Sequence, residues 1–272
     1  MRKLEADVND STSAESSKEV ELFPGRFERR YLLRGSLKSA AAIMALWALP
    51  NGVLAQSPPR ASGSAGDGEL TWDGFLKLAV PVAQQLIAEP SFSVDEYLYR
   101  IGSLATRLGE IPDSKLGPYA AVDPRVSFGP SFRGSPFYII QWRMESGAVL
   151  PPHNHPNASV CTFGYEGEAQ VRNFEIVGEA PDYSSKKTFQ VRETHADTMT
   201  RGRINTLSPT RDNIHTFRVG KEGARGIDIN TMHGKVAPFS FLEIGAQPLD
   251  LKRTFEAVWS DIGQTTPAAG KS

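Results

Sequence analysis

Two of the chain's five histidines stand two residues apart, in the run Pro151-Pro152-His153-Asn154-His155-Pro156. On a β-strand, residues i and i+2 project to the same face. If that face is an interior, His153 and His155 can clamp one metal ion, and the prolines stiffen the approach to them. A third imidazole is offered by His215, in a segment that runs from Gly202 through Pro209 to Asn213-Ile214-His215-Thr216-Phe217. The other two histidines read differently. His195, in Thr194-His195-Ala196-Asp197, reads as a surface or loop residue, and His233, in Thr231-Met232-His233-Gly234, as a turn residue. The single cysteine, Cys161, excludes an internal disulfide framework and any cysteine-rich zinc site. It reads as a small buried hydrophobe in a strand, or more sharply as a thiol lining a pocket.

Such ligands need a scaffold, and the composition supplies the first constraint. The chain has 272 residues, 40% of them hydrophobic, and a formal net charge of -1, with no basic surplus to hold nucleic acid. Its 24 glycines and 19 prolines suit many turns between short strands. Over residues 71–87, Trp72, Phe75, Leu76, Leu78, Ala79, Val82, Ala83, Leu86 and Ile87 fall at helical spacing, with Pro81 expected to kink or divide the helix. Ser93-Val94-Asp95-Glu96 is a capping box that opens a second helix, whose face is marked by Val94, Tyr97, Leu98, Ile101, Leu104, Ala105 and Leu108. After Pro112 the character changes. Phe137–Met144 is β-branched and aromatic, and further strands are expected at 158–165, 168–176, 187–193, 203–207, 214–219, 225–231 and 238–244. Helices first and strands second argue for an all-β jelly roll or barrel preceded by two amphipathic helices.

The two histidine segments resemble the two motifs of the cupins. Leu150-Pro151-Pro152-His153-Asn154-His155-Pro156 and Asn213-Ile214-His215-Thr216-Phe217 are most similar to the thiol dioxygenase branch, which includes cysteine and cysteamine dioxygenases and the plant cysteine oxidases. The similarity covers about residues 135–232. It implies a cupin jelly-roll barrel with His153, His155 and His215 as metal ligands. Cupins in general carry a glutamate shortly after the first pair, where this chain has Ser159 and Val160. Three neutral imidazoles and no carboxylate then imply Fe(II), with positions open for a thiolate and O₂. The expected reaction oxidises a small thiol, such as cysteine, cysteamine or a related mercapto acid, to its sulfinic acid. Substrate contacts implied by charge and position are Arg125, Arg143 and Cys161, with Arg133 also upstream of the first expected strand. His233 falls where the cysteamine and plant enzymes carry a Pro-Pro-Tyr segment. Competing readings are a different cupin metalloenzyme, such as a non-thiol dioxygenase or isomerase, and a non-catalytic periplasmic cupin that binds a small ligand or metal.

The N-terminal region reads as an address. Glu28-Arg29-Arg30-Tyr31-Leu32-Leu33-Arg34 resembles a twin-arginine export signal, followed by an apolar stretch, 40–49, and small residues before a cleavage position after Ala55. The apolar stretch falls short of the roughly 20 residues that span a bilayer, so no stable span is expected after cleavage. The expected organisation is a signal segment at 1–55, a Ser/Pro/Gly/Ala-rich linker at 56–68, helices at 69–112, the cupin barrel at 113–250 and a tail at 251–272. Export in the folded state, to the periplasm or beyond, would let the ligands close on iron before competing metals are met.

Overall fold

A computed structural model describes residues 68–113, 119–234 and 239–260. The expected signal segment, and all but the last residue of the expected linker, lie outside these. Helix α1, Trp72–Ala88, starts at Thr71, whose side chain accepts from the Gly74 amide at 3.1 Å. It runs through Pro81 as one span, contrary to the expected break. Pro81 is exposed, so its ring faces water and the carbonyl it leaves unbonded can be solvated. Helix α2, Val94–Ala105, is capped as its sequence dictates: the Ser93 hydroxyl accepts from the Glu96 amide at 3.0 Å. Among the described residues, no helix is long and apolar enough to cross a membrane.

Ten antiparallel strands follow: β1 Ala120–Asp123, β2 Val126–Gly134, β3 Phe137–Met144, β4 Val149–Asn154, β5 Ala158–Val177, β6 Phe189–Met199, β7 Ile204–Leu207, β8 Ile214–Met232, β9 Leu242–Ile244 and β10 Thr254–Trp259. They form one curled sheet in the order β1-β2-β3-β8-β5-β6-β10-β9, with β4 added on β8 and β7 on β5. Together with the two leading helices, this fits a cupin jelly roll. Within the expected tail, Thr254–Trp259 form a strand: Phe255 and Trp259 on β10 are buried, and β10 pairs with β6 and β9. Its alternating Thr-Phe-Glu-Ala-Val-Trp pattern is that of a half-buried strand.

The expected strand pairs 158–165/168–176 and 214–219/225–231 are each one long strand, β5 and β8. These two pair along most of their length, with register shifts at Gly164/Glu166 and Gly167/Ala169. Glycines permit the bulge. Gly167 and Gly223 have φ of +68° and +78°, and a Cβ on Gly167 would stand 2.0 Å from the Gly223 carbonyl oxygen. The bulge bends the strands, so that one half carries β4 and the other carries β3 and β7.

Side chains alternate along these strands between two surroundings. Outward, Phe137, Ile139, Cys161, Phe163, Ile227 and Ile229 pack under the helices with Phe75, Ala79, Tyr97 and Ile101. Inward, Trp142, Leu150, Val171, Phe217, Phe239 and Phe241 form a second cluster, and the histidines adjoin it.

Candidate metal centre

His153 is the last residue but one of β4 and pairs directly with His215 on β8, so both side chains lie on one face. The approach is built by Pro151-Pro152. Neither proline can donate to the ladder, and the register shifts between Leu150 and His153 at this point. His155 follows β4 and is fixed to the segment before His215. The Asn213 amide nitrogen donates to the His155 carbonyl at 3.0 Å, and its amide oxygen accepts from the His155 backbone N–H at 3.3 Å. Asn213 thus joins the two motifs through the backbone of a ligand residue.

The result is three imidazoles packed on one another. The Nε2 atoms of His155 and His215 are 3.0 Å apart, as are those of His215 and His153. One ring nitrogen from each lies within 4.8 Å of the others. The Nδ1 of His153 is 2.9 Å from the Pro151 carbonyl and donates to it, which leaves Nε2 as that ring's lone pair. All three residues are buried. Burial pushes His153 down to about 4, with the Pro151 carbonyl opposing. Burial first, and then the neighbouring imidazoles, hold His155 and His215 well below the ordinary histidine value. The rings are therefore neutral at pH 7, the state in which imidazole binds a metal. Three neutral nitrogens converging at this spacing suit a cation and suit one another poorly without it. The donor set fits a transition metal.

The face beyond the triad is polar, and much of it was not anticipated. Asn173 pairs with His215 across β5 and β8. The Asn173 amide oxygen accepts from the Asn205 Nδ2 at 3.0 Å. Asn205 on β7 and Asp228 on β8 both pair with Thr162 on β5. The Thr162 hydroxyl donates to the Asp228 carboxylate at 2.7 Å. A row of polar side chains therefore leads from the three imidazoles to a buried acid. A second path is aromatic, through Phe217 against His215 and Trp142 against Phe217. Burial raises Asp228 to about 6, opposed by the Thr162 hydroxyl and the Trp142 indole. Asn205 Oδ1 and Asn230 Oδ1 are buried without a hydrogen-bond partner, so this face presents unused acceptors to its interior. Sequence reasoning missed Asp228. The signal was Ile227-Asp228-Ile229-Asn230, where polar residues alternate with isoleucines in a strand buried on both faces.

The structure does not bring the other expected site residues to the histidines. Arg125 is exposed, and its guanidinium donates to the Gly147 carbonyl at 3.2 Å. Arg143 lies on the opposite face of β3 from Trp142, ion-paired with Asp113 and stacked over Tyr119. Cys161 points outward under α2, where burial, then the Asp228 charge, raises its thiol to about 12. Strand alternation places both Arg143 and Cys161 on the wrong side of the sheet. Arg133 is exposed on β2. His195 is an exposed residue within β6, on the surface as expected of a histidine without a ligand role. His233 follows β8, half-buried, with its Nε2 2.7 Å from the Ser159 hydroxyl. Of the two positions where a cupin glutamate would stand, Ser159 therefore faces outward, and Val160 faces inward among Ala158, Leu207 and Met232.

No family model matches the chain, and no curated protein matches it. Solved structures similar to it include KdgF from Halomonas sp., 14% identical over 43% of this chain and 88% of that one, with a TM-score of 0.31. The Cnp3 cupin domain of Schizosaccharomyces pombe is 14% identical over 43% and 69% of the two chains, with a TM-score of 0.32. The coconut allergen cocosin is 16% identical, with a TM-score of 0.32. That match covers 42% of this chain and spans only 28% of the cocosin chain.

Proposed function

We propose that this protein is an Fe(II)-dependent thiol dioxygenase acting on a small thiol that also carries an amine. The observation that carries the reading is the neutral triad of His153, His155 and His215, with Val160 where a carboxylate ligand would face inward. Asp228 sharpens the substrate class. It is a buried acid on the face shared with the triad, and among the described residues no arginine or lysine is buried. A buried carboxylate favours a cationic partner. Cysteamine or an N-terminal cysteine therefore fits better than a thiol recognised by its carboxylate.

The overall reaction, RSH + O₂ → RSO₂H, balances without a further reductant: sulfur gives four electrons and O₂ takes them. Bound iron would supply the site at which thiolate and O₂ meet. The chain's own residues do the rest. Pro151 orients the His153 ring, Asn213 fixes the backbone of His155, Phe217, Phe239 and Phe241 keep their surroundings apolar, and Asp228 holds the substrate ammonium. We further propose export by the twin-arginine route. Exchanging Arg29 and Arg30 for lysine in a reporter fusion should block it.

The test is an anaerobic purification, a metal assay, and O₂ uptake with cysteamine, a Cys-initiated peptide, cysteine and 3-mercaptopropionate. Uptake should follow the amine-bearing thiols, and the product should gain both oxygen atoms of ¹⁸O₂. Iron without thiol-dependent uptake would move the protein to another cupin chemistry. Absence of metal would reduce it to a ligand-binding cupin.

A further inference from the structure

Asn154 stands between the two ligands of the first motif, and by strand alternation its side chain leaves on the face opposite theirs. It is only 3% exposed, and each end of its amide is engaged. The oxygen accepts from the Ser240 backbone N–H at 2.7 Å, and the nitrogen donates to the Tyr183 hydroxyl at 3.1 Å. Its backbone N–H also donates to the Ser240 carbonyl at 3.0 Å. Tyr183 belongs to the loop between β5 and β6, residues 178–188. That loop is fastened to β10. The Tyr183 ring meets Trp259 edge-on at 4.7 Å, the Trp259 indole donates to the Pro181 carbonyl at 2.8 Å, and Lys186 donates to the Trp259 carbonyl at 3.2 Å.

We propose that Tyr183 is a positioning residue of the metal centre, acting through Asn154 from a surface loop. A ligand pair two residues apart keeps its bite only if the residue between them cannot rotate. The backbone bonds to Ser240 hold one side of Asn154, and the Tyr183 hydroxyl holds the other. Partners outside the ligand shell that orient ligands typically change metal affinity by about 10- to 100-fold. Coupling is reciprocal, so metal binding must also tighten the 178–188 loop. The inference rests on the metal-centre part of the reading above and is independent of the thiol chemistry.

Cobalt(II) serves as the probe, with the full chain titrated against a competing chelator and followed by visible absorption. Tyr183→Phe should weaken cobalt binding by about 3- to 10-fold, the size of one net hydrogen bond, and should alter the ligand-field spectrum. Asn154→Ala should weaken it by about 10- to 100-fold. Tyr183→Phe added to Asn154→Ala should then cost nothing more. Cobalt should slow amide exchange in residues 178–188 of the wild type and less so in Tyr183→Phe. Wild-type affinity and spectrum in Tyr183→Phe would overturn the proposal, as would an equal loss in the Asn154→Ala background. If the wild type binds no cobalt, the metal-centre reading falls with it. If cobalt binds and thiol oxidation is absent, the positioning role stands alone.

Discussion

The two faces of the β5–β8 ladder carry consecutive residues and do opposite work. Outward, Cys161, Phe163, Ile227 and Ile229 are closed over by α1 and α2, and two polar pairs sit there, Tyr97 with Thr231 and Ser159 with His233. Inward, Asn230 leaves an acceptor unused, and Asp228 places a carboxylate of raised pKa beside the route to three stacked imidazoles. Strand alternation is what permits this. A change of one residue in register would exchange the two faces, so the helices that bury the isoleucines also fix where Asp228 points. The outward face carries the packing against the helices, and the inward face carries the three imidazoles and the buried acid.

Four experiments test that division, in falling order of effect. His215→Ala should abolish metal loading and all metal-dependent turnover while the chain stays folded, as metal analysis and circular dichroism would show. Unchanged loading would remove the inner face's assigned role. Ile229→Ala should cost about 2–5 kcal/mol in denaturant unfolding, since the side chain is fully buried. Its cobalt affinity should remain within about twofold of wild type, and a large loss of affinity would erase the contrast between faces.

Asp228→Asn should work in two directions at once. With amine-bearing thiols its kcat/KM at pH 7 should fall by about 10- to 100-fold, the usual worth of a charged hydrogen bond. Its stability should rise. Asp228 is raised from 3.8 to about 6, so its protonated form favours the fold. That contribution is complete below pH 4 and is lost as pH climbs through 6, a change of about 3 kcal/mol. The variant should therefore gain on the wild type between pH 4 and pH 7, read from unfolding midpoints across that window. A constant gap would mean that the carboxylate is not held as described. The smallest effect belongs outside: Tyr97→Phe removes the partner of the Thr231 hydroxyl and should cost about 1 kcal/mol with turnover unaltered.

What was legible in the sequence follows the same physical lines. Both helices declared themselves through apolar stripes, the second also through its capping box, and the three candidate ligands through residue type, because imidazoles are few in this chain. Strand limits were harder. Glu166-Gly167 and Gly220–Gly223 look like turns, yet they are bulges in continuous strands, a distinction set by pairing partners far away in sequence. Strand β2 holds Gly129, Pro130 and Gly134, and β4 holds Pro151-Pro152, so local propensity concealed both. Charge and position point to Arg125 and Arg143, which the fold holds away from the three imidazoles, whereas the inward-facing charge is the acid Asp228, whose direction is set by its strand.

Val160 occupies the inward position where a carboxylate would add negative charge, and it has an evolutionary consequence. Every valine codon becomes an aspartate or glutamate codon through one change at its middle base. A carboxylate among Ala158, Leu207 and Met232 is therefore within reach of a single point mutation, and Val160→Asp or Val160→Glu, according to the codon, is the genetic step by which this barrel could be turned toward harder cations and different chemistry.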